Sequence, residues 1–121
     1  MPVVYLHGLG YGLLQNHMLI KHLVASLPTH PLLIPIAHHT AQGLFDHRYL
    51  KPWKRQEFVG TIKDACKRWG FWSPEEGGGV SMLSHSNGSV HHGWIVKDCP
   101  QMIKRNTFVD PVVFCLWEGG E

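Results

Sequence analysis

Two hydrophobic patterns alternate along this chain: short unbroken apolar runs, and longer stretches in which apolar residues recur every third or fourth position. Pro2 to Leu6 (PVVYL) is the first run, rich in β-branched and aromatic residues, and His7-Gly8-Leu9-Gly10-Tyr11-Gly12 closes it abruptly. A buried strand leading into a glycine loop is predicted there. Between Leu13 and Leu27, Ile20, Leu23, Val24 and Leu27 fall at i, i+3, i+4 and i+7 before Pro28, which predicts a helix. Pro31 to Ile36 (PLLIPI) is too short for a helix and predicts a second strand parallel to the first, with Pro35 at its far end.

The stretch from Ala37 to Trp53 has no clear period and reads as a long connection. Phe58, Val59, Ile62, Ala65, Cys66 and Trp69 then form a helical stripe, with Lys63, Asp64, Lys67 and Arg68 on the outer side. Val80 to Leu83 predicts a third strand, Ser89 to Cys99 a helix stopped by Pro100, and Thr107 to Val109 a fourth strand closed by Asp110-Pro111. Strand and helix alternating in this order imply an α/β fold. It is expected to be a single domain over residues 1–121, with a mostly parallel sheet of about four strands and helices on both faces.

Composition narrows the functional classes. Of the 121 residues, 44% are apolar and 17% charged; 11 Lys and Arg against 9 Asp and Glu leave a net charge of +2. No basic run is longer than Lys67-Arg68 or Lys104-Arg105, so nucleic-acid binding has no support. No segment reaches the roughly 18 apolar residues that cross a bilayer, and the N-terminus lacks a secretory layout, so a cytoplasmic setting is the default expectation. Cys66, Cys99 and Cys115 are widely spaced and never form C-x-x-C, which favours free buried thiols over a disulfide framework or a zinc knuckle.

The candidate chemistry lies in Ser84-His85-Ser86-Asn87-Gly88, directly after an apolar strand and directly before a helix. The form is small-x-nucleophile-x-small, with serine in place of the first glycine of G-x-S-x-G. A strand turning this sharply into a helix leaves no room for large side chains two residues either side of the nucleophile. Ser86 would sit at a helix N-terminus, where unpaired amides favour a developing negative charge, and the Asn87 amide would be one oxyanion donor. A second donor is expected from the glycine loop at the same end of the sheet, with the Leu9 amide as candidate. The spacing Gly8-x-Gly10-x-Gly12 fits no dinucleotide fingerprint and there is no Walker lysine, so no cofactor is expected.

PVVYLHGLGYG followed by VSMLSHSNGS resembles the α/β-hydrolase superfamily, in the region from strand 3 to strand 6, and suggests a fungal-type branch. The resemblance implies a truncated α/β-hydrolase core with Ser86 as nucleophile and Asn87 and Leu9 as oxyanion donors. His7, Gly8, Gly10, Ser84 and Gly88 would support the motif. It also implies Asp110, in FVDP, at the position some lipase-like members use for the catalytic acid, although most place the acid one strand later. On that mapping the chain stops before the catalytic histidine, and strands 1, 2, 7 and 8 are missing.

Among the 10 histidines, none holds the family position. His85 adjoins the nucleophile but should be aimed away from it. His7 is expected to pack and hydrogen-bond within its loop. His38, His39, His91 and His92 lack metal-ligand spacing and read as tolerated surface or loop residues, so no metal site is expected. Trp94, Phe114 and Trp117 fit an acyl pocket or ordinary core packing. The expected function is a serine hydrolase acting on an ester, thioester or amide through an acyl-serine intermediate, inactive if no base is supplied. A non-catalytic α/β-hydrolase-fold binding module is the alternative. Self-association through exposed sheet edges is expected in either case.

Overall fold

The computed structural model describes residues 1–41, 47 and 51–112. Strands β1 (Val3–Leu6), β2 (Leu32–Leu33), β5 (Val80–His85) and β6 (Ile103–Val109) form one parallel sheet in the order β2-β1-β5-β6. The helices are α1 (His17–Ser26), α2 (Arg55–Arg68) and α3 (Gly88–Asp98). The α/β architecture is the one anticipated from the alternation of elements. A small antiparallel hairpin, β3 (Trp72–Ser73) with β4 (Gly77–Gly78), was not anticipated.

The hydrophobic pattern explains the layering. Val4 pairs in register with Met82, and Leu6 with Ser84, so these side chains share one face of the sheet. On that face Val4, Leu6, Val80 and Met82 pack with Phe58, Val59, Ile62 and Cys66 of α2 and with Ile95 of α3. Parallel crossovers are right-handed, so α1 covers the opposite face and α2 and α3 share the first. Arg55 of α2 and Asp98 of α3 form an exposed ion pair between the two neighbours, with Arg55 Nε donating to Asp98 Oδ2 at 2.8 Å.

Four boundaries differ from the sequence expectation. The first helix opens with a 3₁₀ turn at Leu14–Asn16 and becomes α-helical only at His17. None of its residues is buried: Ile20, Leu23 and Leu27 are half-buried and Val24 is exposed. β2 is reduced to Leu32–Leu33. Pro35 has no N–H to offer a ladder, which ends the pairing early. β6 begins four residues before Thr107, at Ile103. Lys104 and Arg105 hid it, because this outer strand is largely solvent-facing and lacks an apolar alternation. α2 starts three residues ahead of Phe58, at Arg55. Phe114, Cys115 and Trp117, and much of the long connection, lie outside the described residues.

Candidate active site

The strand order reverses at one place. From β1 the chain steps outward to β2, then crosses back to β5 on the other side of β1, so the carboxyl ends of β1 and β5 flank a switch point. In open α/β sheets, that crevice is where ligands bind. The glycine loop leaves β1 there and the Ser84–Gly88 turn leaves β5 there.

Ser86 has left-handed backbone, φ +50°, at the junction between β5 and α3. For a residue with a Cβ this costs about 1–2 kcal/mol, so the surroundings must impose it. They do so by hydrogen bonds: the Ser86 amide donates to Val109 O (3.0 Å), and Ser86 O accepts from the Ser89 amide (3.0 Å) and Ser89 Oγ (2.7 Å). The first amides to donate within the new helix are those of Ser89 and Val90, which leaves the Asn87 and Gly88 amides ahead of the ladder. Asn87 sits at the N-cap position.

Two glycines bring β1 and its loop against this turn. A Cβ on Gly88 would lie 2.3 Å from Leu6 O and 2.7 Å from His7 O. A Cβ on Gly8 would lie 3.1 Å from the Ser86 Cβ and 3.0 Å from His85 Nδ1. The structure therefore brings Gly8, the residue before Leu9, against Ser86. The Leu9 side chain is exposed, as are Tyr11, Leu14 and Met18 just beyond it.

The loop itself is held by the segment after β2. His7 Nε2 accepts from the Ala37 amide (3.0 Å), its Nδ1 donates to Gly8 O (2.8 Å), and the Gly10 amide donates to Thr40 O (2.9 Å). Thr40 Oγ1 donates to Ala37 O (3.0 Å). Both ring nitrogens of His7 are thus occupied, as its loop-packing role required.

Asp110 also has left-handed backbone, φ +45°, and is exposed. Its neighbours are pinned to the turn, Val109 O by the Ser86 amide and the Val112 amide by Ser89 Oγ (2.9 Å). Neither Ser86 Oγ nor the Asp110 carboxylate has a hydrogen-bond partner among the described residues.

The histidines correct one sequence expectation: His91 and His92 are buried, not tolerated on the surface. His91 stacks on Phe58 with centroids 4.5 Å apart and meets Trp94 and His39 edge-on at 5.0 and 5.8 Å. Burial, then the neighbouring His39 and His7, push its pKa down to about 4. His39 is lowered by burial and by His7 and His38. Trp94 packs against the apolar core, as one of its two readings required.

His92 points elsewhere. Its Nδ1 lies 2.8 Å from Ser84 Oγ, its Nε2 lies 2.8 Å from Asn106 Oδ1, and its ring stacks on Phe108 with centroids 4.0 Å apart. His92 is therefore separate from His38, His39 and His91, and among the described residues no group of three or more metal-ligating side chains is arranged to hold an ion. Ser84 is more than a small residue in a tight turn, because its hydroxyl is committed to this pair. Sequence reasoning had no local signal for the network, since Asn106 reaches His92 only through the pairing of β5 with β6.

His85, next to Ser86, keeps its Nδ1 buried with no partner among the described residues. Two clefts lie away from Ser86. One, of about 300 Å³, is lined by Pro31, Leu32, Leu33, Trp69 and Phe71; the other, of about 140 Å³, lies at the β3–β4 hairpin. No helix among the described residues is long and apolar enough to cross a membrane. Comparison with models of known protein families gives no match, and none of the curated proteins matches the chain.

Proposed function

We propose that this chain carries the nucleophile and oxyanion half of a serine-hydrolase site of α/β-hydrolase type, acting on an ester, thioester or amide. The left-handed backbone of Ser86 is the observation that carries this reading. A serine held in strained geometry at a strand-to-helix turn, at the sheet's switch point, with Gly8 close against it and Gly88 against the end of β1, matches what a nucleophile elbow needs.

In this mechanism a base removes the Ser86 hydroxyl proton as Oγ attacks the acyl carbon, and negative charge gathers on the former carbonyl oxygen. The Leu9 and Asn87 amides, one from each loop, receive that charge. Collapse expels the alcohol, thiol or amine, which takes the proton from the base, and water then releases the acyl group by the same steps in reverse. Asp110 would orient the base. The exposed Leu9, Tyr11, Leu14 and Met18 beside the loop suit an apolar acyl group.

A binding module with an idle serine is the second reading, favoured by the lack of any partner for Ser86 Oγ among the described residues. Without a base, a serine hydroxyl is a weak nucleophile. Labelling with a fluorophosphonate separates the two. Covalent modification of the native chain at Ser86, abolished in Ser86→Ala, is expected for the hydrolase; an unlabelled native chain favours the binding module.

A further inference from the structure

Ser84, His92 and Asn106 come from the three elements that hold Ser86: the strand before it, the helix after it, and the strand whose Val109 carbonyl accepts its amide. We propose that this relay, enclosed at Ser84 and His92 and open to solvent at Asn106, is the positioning device of the elbow, fixing the left-handed backbone of Ser86 and thereby the aim of its hydroxyl. The proposal rests on the reading of Ser86 as a nucleophile, but its structural half stands apart from catalysis.

The proton arrangement follows from the partners. Asn106 Oδ1 only accepts, so His92 Nε2 carries the hydrogen and Nδ1 is left as an acceptor. Ser84 O–H then donates to Nδ1, 2.8 Å away. Ser84 and His92 are both 0% exposed, so the serine hydroxyl is closed to substrate and serves the fold alone. Burial lowers the His92 pKa, against the raising influence of Asn106, which keeps the ring neutral near pH 7. Among the described residues, the groups shown to meet the ring are Ser84 from β5 and Asn106 and Phe108 from β6, none of them charged.

The relay also gives the first elbow position a serine with a purpose. Glycine there would satisfy the steric need but leave the buried Nδ1 an acceptor with no donor and no water to replace it. A helix and two strands are thus tied through one ring at the level of the turn, two residues ahead of Ser86.

Amide hydrogen exchange on the full chain tests this, alongside fluorophosphonate labelling, in Ser84→Ala, Asn106→Leu and the conservative Asn106→Asp. In the first two variants, exchange at the Ser86 and Ser89 amides is expected to quicken at least tenfold while the α2 amides of Ile62 and Cys66 hold their rates, and labelling of Ser86 should slow by a similar factor. Asn106→Asp, which keeps the acceptor, should restore both. Equal quickening in α2, or an elbow that exchanges as in the native chain, would overturn the relay as a positioning device. Absence of labelling in the native chain would sink the nucleophile reading instead, and exchange alone would still decide the relay. Should Ser84→Ala fail to fold, nitrogen-15 imidazole shifts of the native chain decide it: the Nε2–H tautomer of His92 at pH 7 supports the relay, and the Nδ1–H tautomer or an imidazolium overturns it.

Discussion

Gly88→Ala is expected to destabilise the chain by about 3 kcal/mol or more, enough to unfold much of the population of a marginally stable domain. The added methyl would lie 2.3 Å from Leu6 O and 2.7 Å from His7 O, and both obstacles are backbone atoms that no rotamer change can move aside. Relief requires α3 to lift from the end of β1. That would pull Ser86 from the Val109 carbonyl and draw Ile95 out of the core cluster. Urea unfolding followed by tryptophan fluorescence measures the loss. Gly60→Ala, at a helical position with nothing within 4 Å of the new methyl, is the control and should be neutral or slightly stabilising. Equal midpoints for the two variants would mean that the contact between α3 and β1 is looser than described.

Acid is expected to weaken the fold between about pH 6.5 and pH 4. His91 is buried with a pKa near 4 against an ordinary value of 6.5, so the unfolded chain takes up a proton that the folded chain refuses. Because the folded value is the lower one, the neutral ring's contribution is fully present above about pH 6.5 and drains away as pH falls towards 4. Its size is on the order of 3 kcal/mol. His39 and His92 are shifted in the same direction and steepen the slope. The exposed Asp98, lowered from 3.8 by its hydrogen bond to Arg55, acts only below this window. Urea midpoints between pH 7.5 and 4.5 should therefore fall steadily. His91→Phe keeps an aromatic ring against Phe58 and Trp94 without a titrating nitrogen, and should flatten most of the decline. A His91→Phe curve as steep as the native one would place the acid sensitivity elsewhere.

How much of this was legible in the sequence depends on which side of the sheet a segment faces. β1, β5 and α2 follow from their apolar patterns because each buries a face against the common core, whereas α3 was placed only by lying between the elbow and Pro100, since its buried residues are mostly Ser89, His91 and His92. β6 was read as three residues and spans seven, since its exposed Lys104, Arg105 and Asn106 carry no apolar alternation. The β3–β4 hairpin was missed because Gly77 and Gly78 have no side chains to signal a strand. The turn at Ser86 was visible through local spacing, which is all that a strand-to-helix turn requires. The relay through His92 was not, for it depends on β5 and β6 lying side by side. The adjacent pair His91-His92 shows the difficulty most directly. Two neighbours on a helix point about 100° apart, so one ring lies on Phe58 of α2 while the other turns to Phe108 of β6, and nothing in a His-His dipeptide says that both are enclosed.

The positive φ at Ser86 bears on what natural selection would keep at this position. Glycine adopts such a backbone without penalty, so if stability alone governed residue 86, glycine would be the better occupant. Ser86→Gly should leave the melting temperature unchanged or raise it by a few degrees, while removing the hydroxyl on which labelling depends. If Ser86→Gly melts no lower than the native chain, the serine side chain serves something other than the fold.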